Sequence, residues 1–119
     1  MKYALLLYAD ESAQPDYTTP EGAAEMEQWF HFTQELTAAG SMLGGEALQE
    51  TTTASTVKIR DGATITADGP FAETKEALGG FYLIDVADLD AAIAWAEKIP
   101  NVGYGTVEIR PIMAFDDEG

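Results

Sequence analysis

The chain opens on Lys2-Tyr3-Ala4-Leu5-Leu6-Leu7-Tyr8-Ala9, apolar at nearly every position. Such a run, without polar alternation, predicts a central strand or one with both faces covered. Asp10 to Tyr17 is polar, carries Pro15 and reads as a loop. Thr19-Pro20-Glu21 has the marks of a helix start: a capping hydroxyl, proline at the first helical position and an acid in the first turn. Met26, Trp29, Phe30, Thr33, Leu36 and Ala39 recur at spacings of three and four, predicting a helix to about Ala39 that stops at Gly40. Ser41 to Gln49 predicts a second strand, with Gly44-Gly45 marking a bulge or a close backbone approach.

Thr56-Val57-Lys58-Ile59-Arg60 alternates polar and apolar, as a half-buried strand does. Asp61-Gly62 supplies the two residues that tolerate positive φ in a tight hairpin turn, and Ala63 to Ala67 returns as the partner strand. Ala72 to Leu78 predicts a short helical turn ended by Gly79-Gly80, and Phe81 to Val86 a buried strand. Asp88 caps a second helix through Lys98, with Leu89, Ala92, Ile93 and Ala96 facing inward and Pro100 just beyond it. Thr106 to Met113 predicts the last strand, with Val107 and Ile109 inward and Glu108 and Arg110 outward. The residues from about 115 to 119 read as an acidic tail.

This order predicts one α+β domain over residues 1–119, a ferredoxin-like split βαβ subunit with an inserted β-hairpin. Two helices cover one face of such a sheet. The other face would still carry apolar side chains, those of Leu5, Leu7, Phe81 and Leu83 or their alternates. A second copy of the chain, packed sheet to sheet about a two-fold axis, is the simplest cover.

Composition narrows the function. The 119 residues carry 6 Lys and Arg against 21 Asp and Glu, a formal net charge of −15. That balance excludes a broad basic face for nucleic acid or anionic membrane. Cysteine is absent, which removes disulfides, thiol nucleophiles and cysteine-based metal sites. The opening apolar run stops at Asp10-Glu11 without a cleavage-type segment, and no run approaches the ~20 apolar residues of a membrane span. A cytoplasmic location is expected.

Asp68-Gly69-Pro70-Phe71-Ala72-Glu73-Thr74-Lys75-Glu76, followed by Gly79-Gly80-Phe81-Tyr82-Leu83-Ile84-Asp85-Val86, resembles the signature of DGPF-domain proteins of the YCII-related family. The resemblance extends to the Lys2–Tyr8 opening, to Gly44-Gly45-Glu46-Ala47-Leu48 and to the Val107-Glu108-Ile109-Arg110-Pro111 ending. It implies a dimeric α/β-barrel of ferredoxin-like subunits with a cleft between helices and sheet. It also implies a link to extracytoplasmic-function sigma factors, beside which many such bacterial proteins are encoded. A related branch uses a His–Asp pair; its positions fall near Trp29 and Ile99 here, so the pair is not carried over.

Candidate chemistry centres on the motif. Asp68 is either a turn-forming residue before Gly69-Pro70 or a general base facing a ligand. Phe71 reads as a hydrophobic plug anchoring the loop. Glu73, Lys75 and Glu76 form a charged cluster, in which Lys75 either pairs with an acid or contacts an anion. Lys58 and Arg60 share one strand face, where they line a cleft for a carboxylate-bearing ligand or solvate an exposed face; Arg110 is a third strand cation. The ligand-binding set is therefore Arg60, Asp68, Phe71, Glu73 and Lys75. His31, the one histidine, lies about 200° around the helix from Trp29 at 100° per residue, on the solvent side, and reads as a surface histidine or as one serving a pocket or dimer interface. No metal or cofactor is expected. Three functions compete: a small dimeric binding or accessory protein, an enzyme on a small organic acid-like substrate with Asp68 as base, and a structural oligomer without ligand.

Overall fold

The computed structural model describes residues 1–115; the expected acidic tail lies almost wholly outside them. Strand β1 (Lys2–Ala9) is followed by a 3-10 turn at Glu11–Ala13, helix α1 (Pro20–Ala38) and strand β2 (Met42–Ala47). A second 3-10 turn at Thr51–Thr53 leads into β3 (Ser55–Arg60) and β4 (Ala63–Asp68), then β5 (Ala77–Asp85), α2 (Leu89–Ala96) and β6 (Thr106–Pro111). The main sheet has the order β2-β5-β1-β6 with every neighbour antiparallel, while β3 and β4 pair only with each other. With the hairpin set aside, this is an α+β arrangement compatible with the ferredoxin-like plan. No helix among the described residues is long and apolar enough to cross a membrane.

The helix starts follow the local chemistry. Thr19 Oγ1 accepts from the Gly22 N–H at α1, and Asp88 accepts from the Ala91 N–H at α2. The hairpin turn places Asp61 at φ 52° and Gly62 at φ 77°, the two positive values a tight turn of this kind needs.

Pairing fixes the faces. Tyr82, Leu5 and Ile109 form one row across β5, β1 and β6, and Gly80, Leu7 and Val107 the next. Both rows face the helices, where Tyr3, Leu5, Leu7 and Ile84 are buried with Phe32 and Leu36 of α1 and Ala92 of α2. Phe32 meets Tyr82 and Trp95 edge to face, with ring centroids at 5.2 and 6.0 Å. The alternate residues Ala4, Leu6, Tyr8, Phe81 and Leu83 face the other way and are half-buried. The molecule measures 48 × 47 × 18 Å. Its short dimension holds one sheet and one helix layer at ~10 Å each, so among the described residues no third layer covers the second face. That open face is apolar along its centre and charged at its edges, with Glu46 beside Phe81 and Glu108 beside Leu6.

Several expectations are corrected. Of the residues named for the bare face, Phe81 and Leu83 are on it, whereas Leu5 and Leu7 point to the helices and their alternates Ala4, Leu6 and Tyr8 take the open side. Phe30 is exposed and Phe32 takes its place in the core. On α2, Leu89 and Ile93 are exposed while Ala92 and Ala96 are buried; the small residues let the helix approach, and Ile99 beyond its end fills the space. The segment 72–76 forms no helical turn, and Gly79-Gly80 lies inside β5, because pairing of Ala77 and Leu78 with Ala9 and Tyr8 overrides local helix preference. Phe71 is 88% exposed and anchors nothing within the chain. Its loop leaves the free-standing hairpin, which offers no surface deep enough to bury a ring.

The hairpin makes the chain extended. Its radius of gyration is 16.6 Å, against about 13–14 Å for a compact chain of this length. Val57 and Ile59 are each 64% exposed on it. Leu36→Ala should cost about 2–5 kcal/mol, as a cavity in a closed core does, whereas Phe71→Ala should stay within about 0.5 kcal/mol. Urea unfolding of the two variants measures both; a large loss at Phe71 would show that the loop is packed after all.

Candidate functional site

A cleft of about 400 Å³ opens between α1 and the sheet. Its floor is made of Leu7, Ala9, Ala47, Gly79 and Gly80, where small residues leave room. Met26, Trp29 and Thr33 of α1 form one wall, Tyr82 stands at the back, and Gln14, Tyr17, Asn101 and Tyr104 come from two loops over the ends of β1 and β6.

Glu25 organises one end. Its carboxylate accepts from Tyr104 Oη at 2.9–3.0 Å, Trp29 Nε1 at 3.2 Å and Tyr17 Oη at 3.3 Å. All three donors are neutral, and no Lys or Arg pairs with Glu25 among the described residues. Burial raises the Tyr104 phenol well above the usual tyrosine range, with the hydrogen bond to Glu25 and its charge acting the same way. Tyr17 is raised by burial and then by the Glu25 charge. At the back, Thr33 Oγ1 and Tyr82 Oη share a hydrogen bond of 3.0 Å.

Local structure delivers these groups. Tyr17 reaches Glu25 because Asp16 and Tyr17 lie flat against the first turn of α1, where Gly22 is buried; a Cβ there would stand 1.9 Å from the Asp16 carbonyl oxygen. Asp16 in turn accepts from the Thr18 hydroxyl and N–H, which hold its carboxyl below the usual carboxylate range. The preceding turn is tied across to the second 3-10 turn: Glu11 accepts from the Thr51 hydroxyl at 2.6 Å and N–H at 2.8 Å, and these bonds lower its pKa. Tyr104 is set by the turn in which the Tyr104 and Gly105 N–H groups donate to the Asn101 carbonyl oxygen.

Asn101 is the buried polar side chain of this site. It is 8% exposed, it lines the cleft, and its Oδ1 has no hydrogen-bond partner. A larger depression of about 920 Å³ runs along the outer side of α1. There His31 pairs with Glu35 at 2.8 Å and Lys98 with Glu35 at 3.3 Å. His31 is thus on the solvent side, as its angle predicted, and both its ring and Lys98 are paired with Glu35.

The motif residues lie elsewhere. Arg60, Asp68, Phe71, Glu73 and Lys75 line neither depression. Asp68 ends β4 and is exposed; the turn after it is held by the Gly69 N–H donating to Ala54 O at 2.7 Å and by Thr56 Oγ1 donating to Gly69 O at 2.7 Å, without its carboxylate. Arg60 folds back on its own strand and donates to Ile59 O. Lys58 shares the exposed hairpin, and Arg110 pairs with Glu108. Lys75 pairs with neither neighbouring acid; its charge adds to the Ser12 bonds that hold Asp10 below the usual carboxylate range. Glu25, Tyr104 and Asn101 escaped the sequence reading because they are far apart along the chain and belong to no motif. The signal present was indirect: Glu25 stands one turn before Trp29 on the same helix face.

A two-layer α+β chain with an aromatic-walled cleft between helix and sheet is the class that this fold and site define. Within that class, the chain belongs to the YCII-related family, whose domain matches residues 1–116. It is 39% identical over 117 residues to an uncharacterized protein of Rhizobium meliloti (strain 1021), across 97% of this chain and 94% of that relative.

The Tyr104 shift has a pH consequence. The folded chain keeps that proton to higher pH than the unfolded chain does, so folded-state stability falls as pH rises past the ordinary tyrosine value of about 10. Tyr104→Phe should therefore flatten the alkaline limb of the stability–pH curve and remove a late component from the tyrosinate absorbance titration. An alkaline limb of unchanged slope would show that Glu25 does not hold this phenol.

Proposed function

We propose that this protein is a homodimeric binder of a small organic molecule, seated in the cleft between α1 and the sheet. One observation carries the reading: the buried Asn101 Oδ1 has no partner in the chain and lines a cleft of about 400 Å³. A buried acceptor left unpaired costs roughly 1–3 kcal/mol, and a ligand donor would offset that cost. The cleft volume lies within the range of ligand sites, about 300–1,000 Å³. A ligand-responsive dimer also suits an accessory role in sigma-factor-linked regulation, which the family resemblance implies.

The dimer reading rests on the open sheet face. Ala4, Leu6, Tyr8, Phe81 and Leu83 form an apolar centre with a charged rim, the anatomy of a protein interface. The exposed Val57 and Ile59 of the hairpin are further apolar surface that a second copy would cover. Packed this way, two copies would form the dimeric α/β-barrel.

A metabolite-library thermal-shift screen tests the binding reading. Asn101→Leu keeps the branched shape and the backbone bonds of the turn while removing the orphan acceptor. Its stability should hold or rise by about 1 kcal/mol, and the thermal shift given by any hit should disappear. A hit whose shift survives in Asn101→Leu refutes the assignment. Asp68→Asn should leave the response intact; a loss of turnover of about 100-fold would favour the general-base reading instead. Light scattering tests the assembly: the wild type should be a dimer at micromolar concentration and Leu6→Asp a monomer. A monomeric wild type overturns it.

A further inference from the structure

The cleft has an unusual balance of hydrogen-bonding capacity. A tyrosine hydroxyl has one proton to give, and an indole N–H one. Tyr17, Tyr104 and Trp29 all spend theirs on Glu25. Toward a ligand the two phenols therefore offer lone pairs only, and the indole offers only its π-face. Asn101 Oδ1 adds an unpaired acceptor beside them. No Lys or Arg lines the cleft, and the Glu25 carboxylate meets three neutral donors and no counter-ion among the described residues. The chain around it carries −15.

Resting on the cleft proposed above, we infer that its ligand is an organic cation: a primary or secondary ammonium on an apolar body about the size of one aromatic ring. The ammonium N–H groups satisfy Asn101 Oδ1 and the phenol oxygens. The positive charge is attracted by Glu25 and by the electron-rich ring faces of Trp29 and the tyrosines. The apolar body rests on Leu7 and the glycine floor. A carboxylate or phosphate in the same place would meet no Lys or Arg and the like charges of Glu25 and Glu46, with only the neutral amide N–H groups of Gln14 and Asn101 and a hydroxyl of the Thr33–Tyr82 pair to donate to it. A neutral alcohol has one proton to give where the site presents several acceptors.

A matched series tests the inference: 2-phenylethylamine, 2-phenylethanol and 3-phenylpropionate, titrated at pH 7 by calorimetry and by Trp29-dependent fluorescence. The amine should bind at least tenfold more tightly than either congener. Glu25→Gln should weaken the amine at least tenfold and leave the alcohol within about twofold. The ranking is read on the wild type, so the inference stays testable even if that variant fails to fold. Equal or tighter binding of the alcohol or the carboxylate, lost in Asn101→Leu, overturns the cation and leaves the cleft standing as a site. Binding by none of the three overturns the cation, and a library screen that also finds no ligand removes the cleft reading with it.

Discussion

Strand β1 is the constraint on which the rest of the molecule depends. It is hydrogen-bonded on both sides, to β5 and β6, and its eight residues divide between two faces by simple alternation. Tyr3, Leu5 and Leu7 on one side give Phe32 and Leu36 a surface to close on, and their burial fixes α1 over the sheet. Ala4, Leu6 and Tyr8 on the other side make the second face apolar. A sequence that is apolar at nearly every position of its central strand thus commits one face to the chain's own helices. It leaves the other uncovered among the described residues.

The cleft is a by-product of the same packing. The floor residues of β5 and β2 beneath Met26 and Trp29 are Gly80 and Ala47, with no side chain or a single methyl. The helix layer therefore stands off at one end and meets the sheet closely at the other, where Phe32, Tyr82 and Trp95 interlock. Glu25 holds the open end together. It gathers a loop residue before the helix, a residue on the helix and one from the turn after α2.

The hairpin follows a different logic from the body. Its two strands pair only with each other, and both faces are exposed. A two-stranded sheet without a third strand or a helix behind it is marginal alone. It carries two of the six cations of the chain, Lys58 and Arg60, on one face and Val57 with Ile59 on the other. The motif loop continues from it, which is why the residues with the most distinctive local sequence, Asp68 to Phe71, are also among those least engaged with the rest of the chain.

The sequence by itself determined what depends on local physics. The helix start at Thr19-Pro20, the positive-φ turn at Asp61-Gly62, the bulge at Gly44 and the alternation of β6 each follow from a residue's own backbone preference or from strand period, and each is in place. Tertiary structure decided what is symmetric or non-local. On a helical wheel Phe32 lies about 70° to one side of the stripe of Trp29, Thr33 and Leu36 and Phe30 about 90° to the other, so periodicity separates them by only about 20°. The rings of Tyr82 and Trp95 choose Phe32. The charged segment before Gly79 favours a helical turn locally, and pairing with the end of β1 draws its last residues into a strand. Glu25, Asn101 and Tyr104 form one site because the sheet order brings the turn after α2 beside the start of α1. Hydrogen-bond partners so far apart in sequence leave no spacing to read, since their meeting is set by the packing of layers and not by the period of any one element.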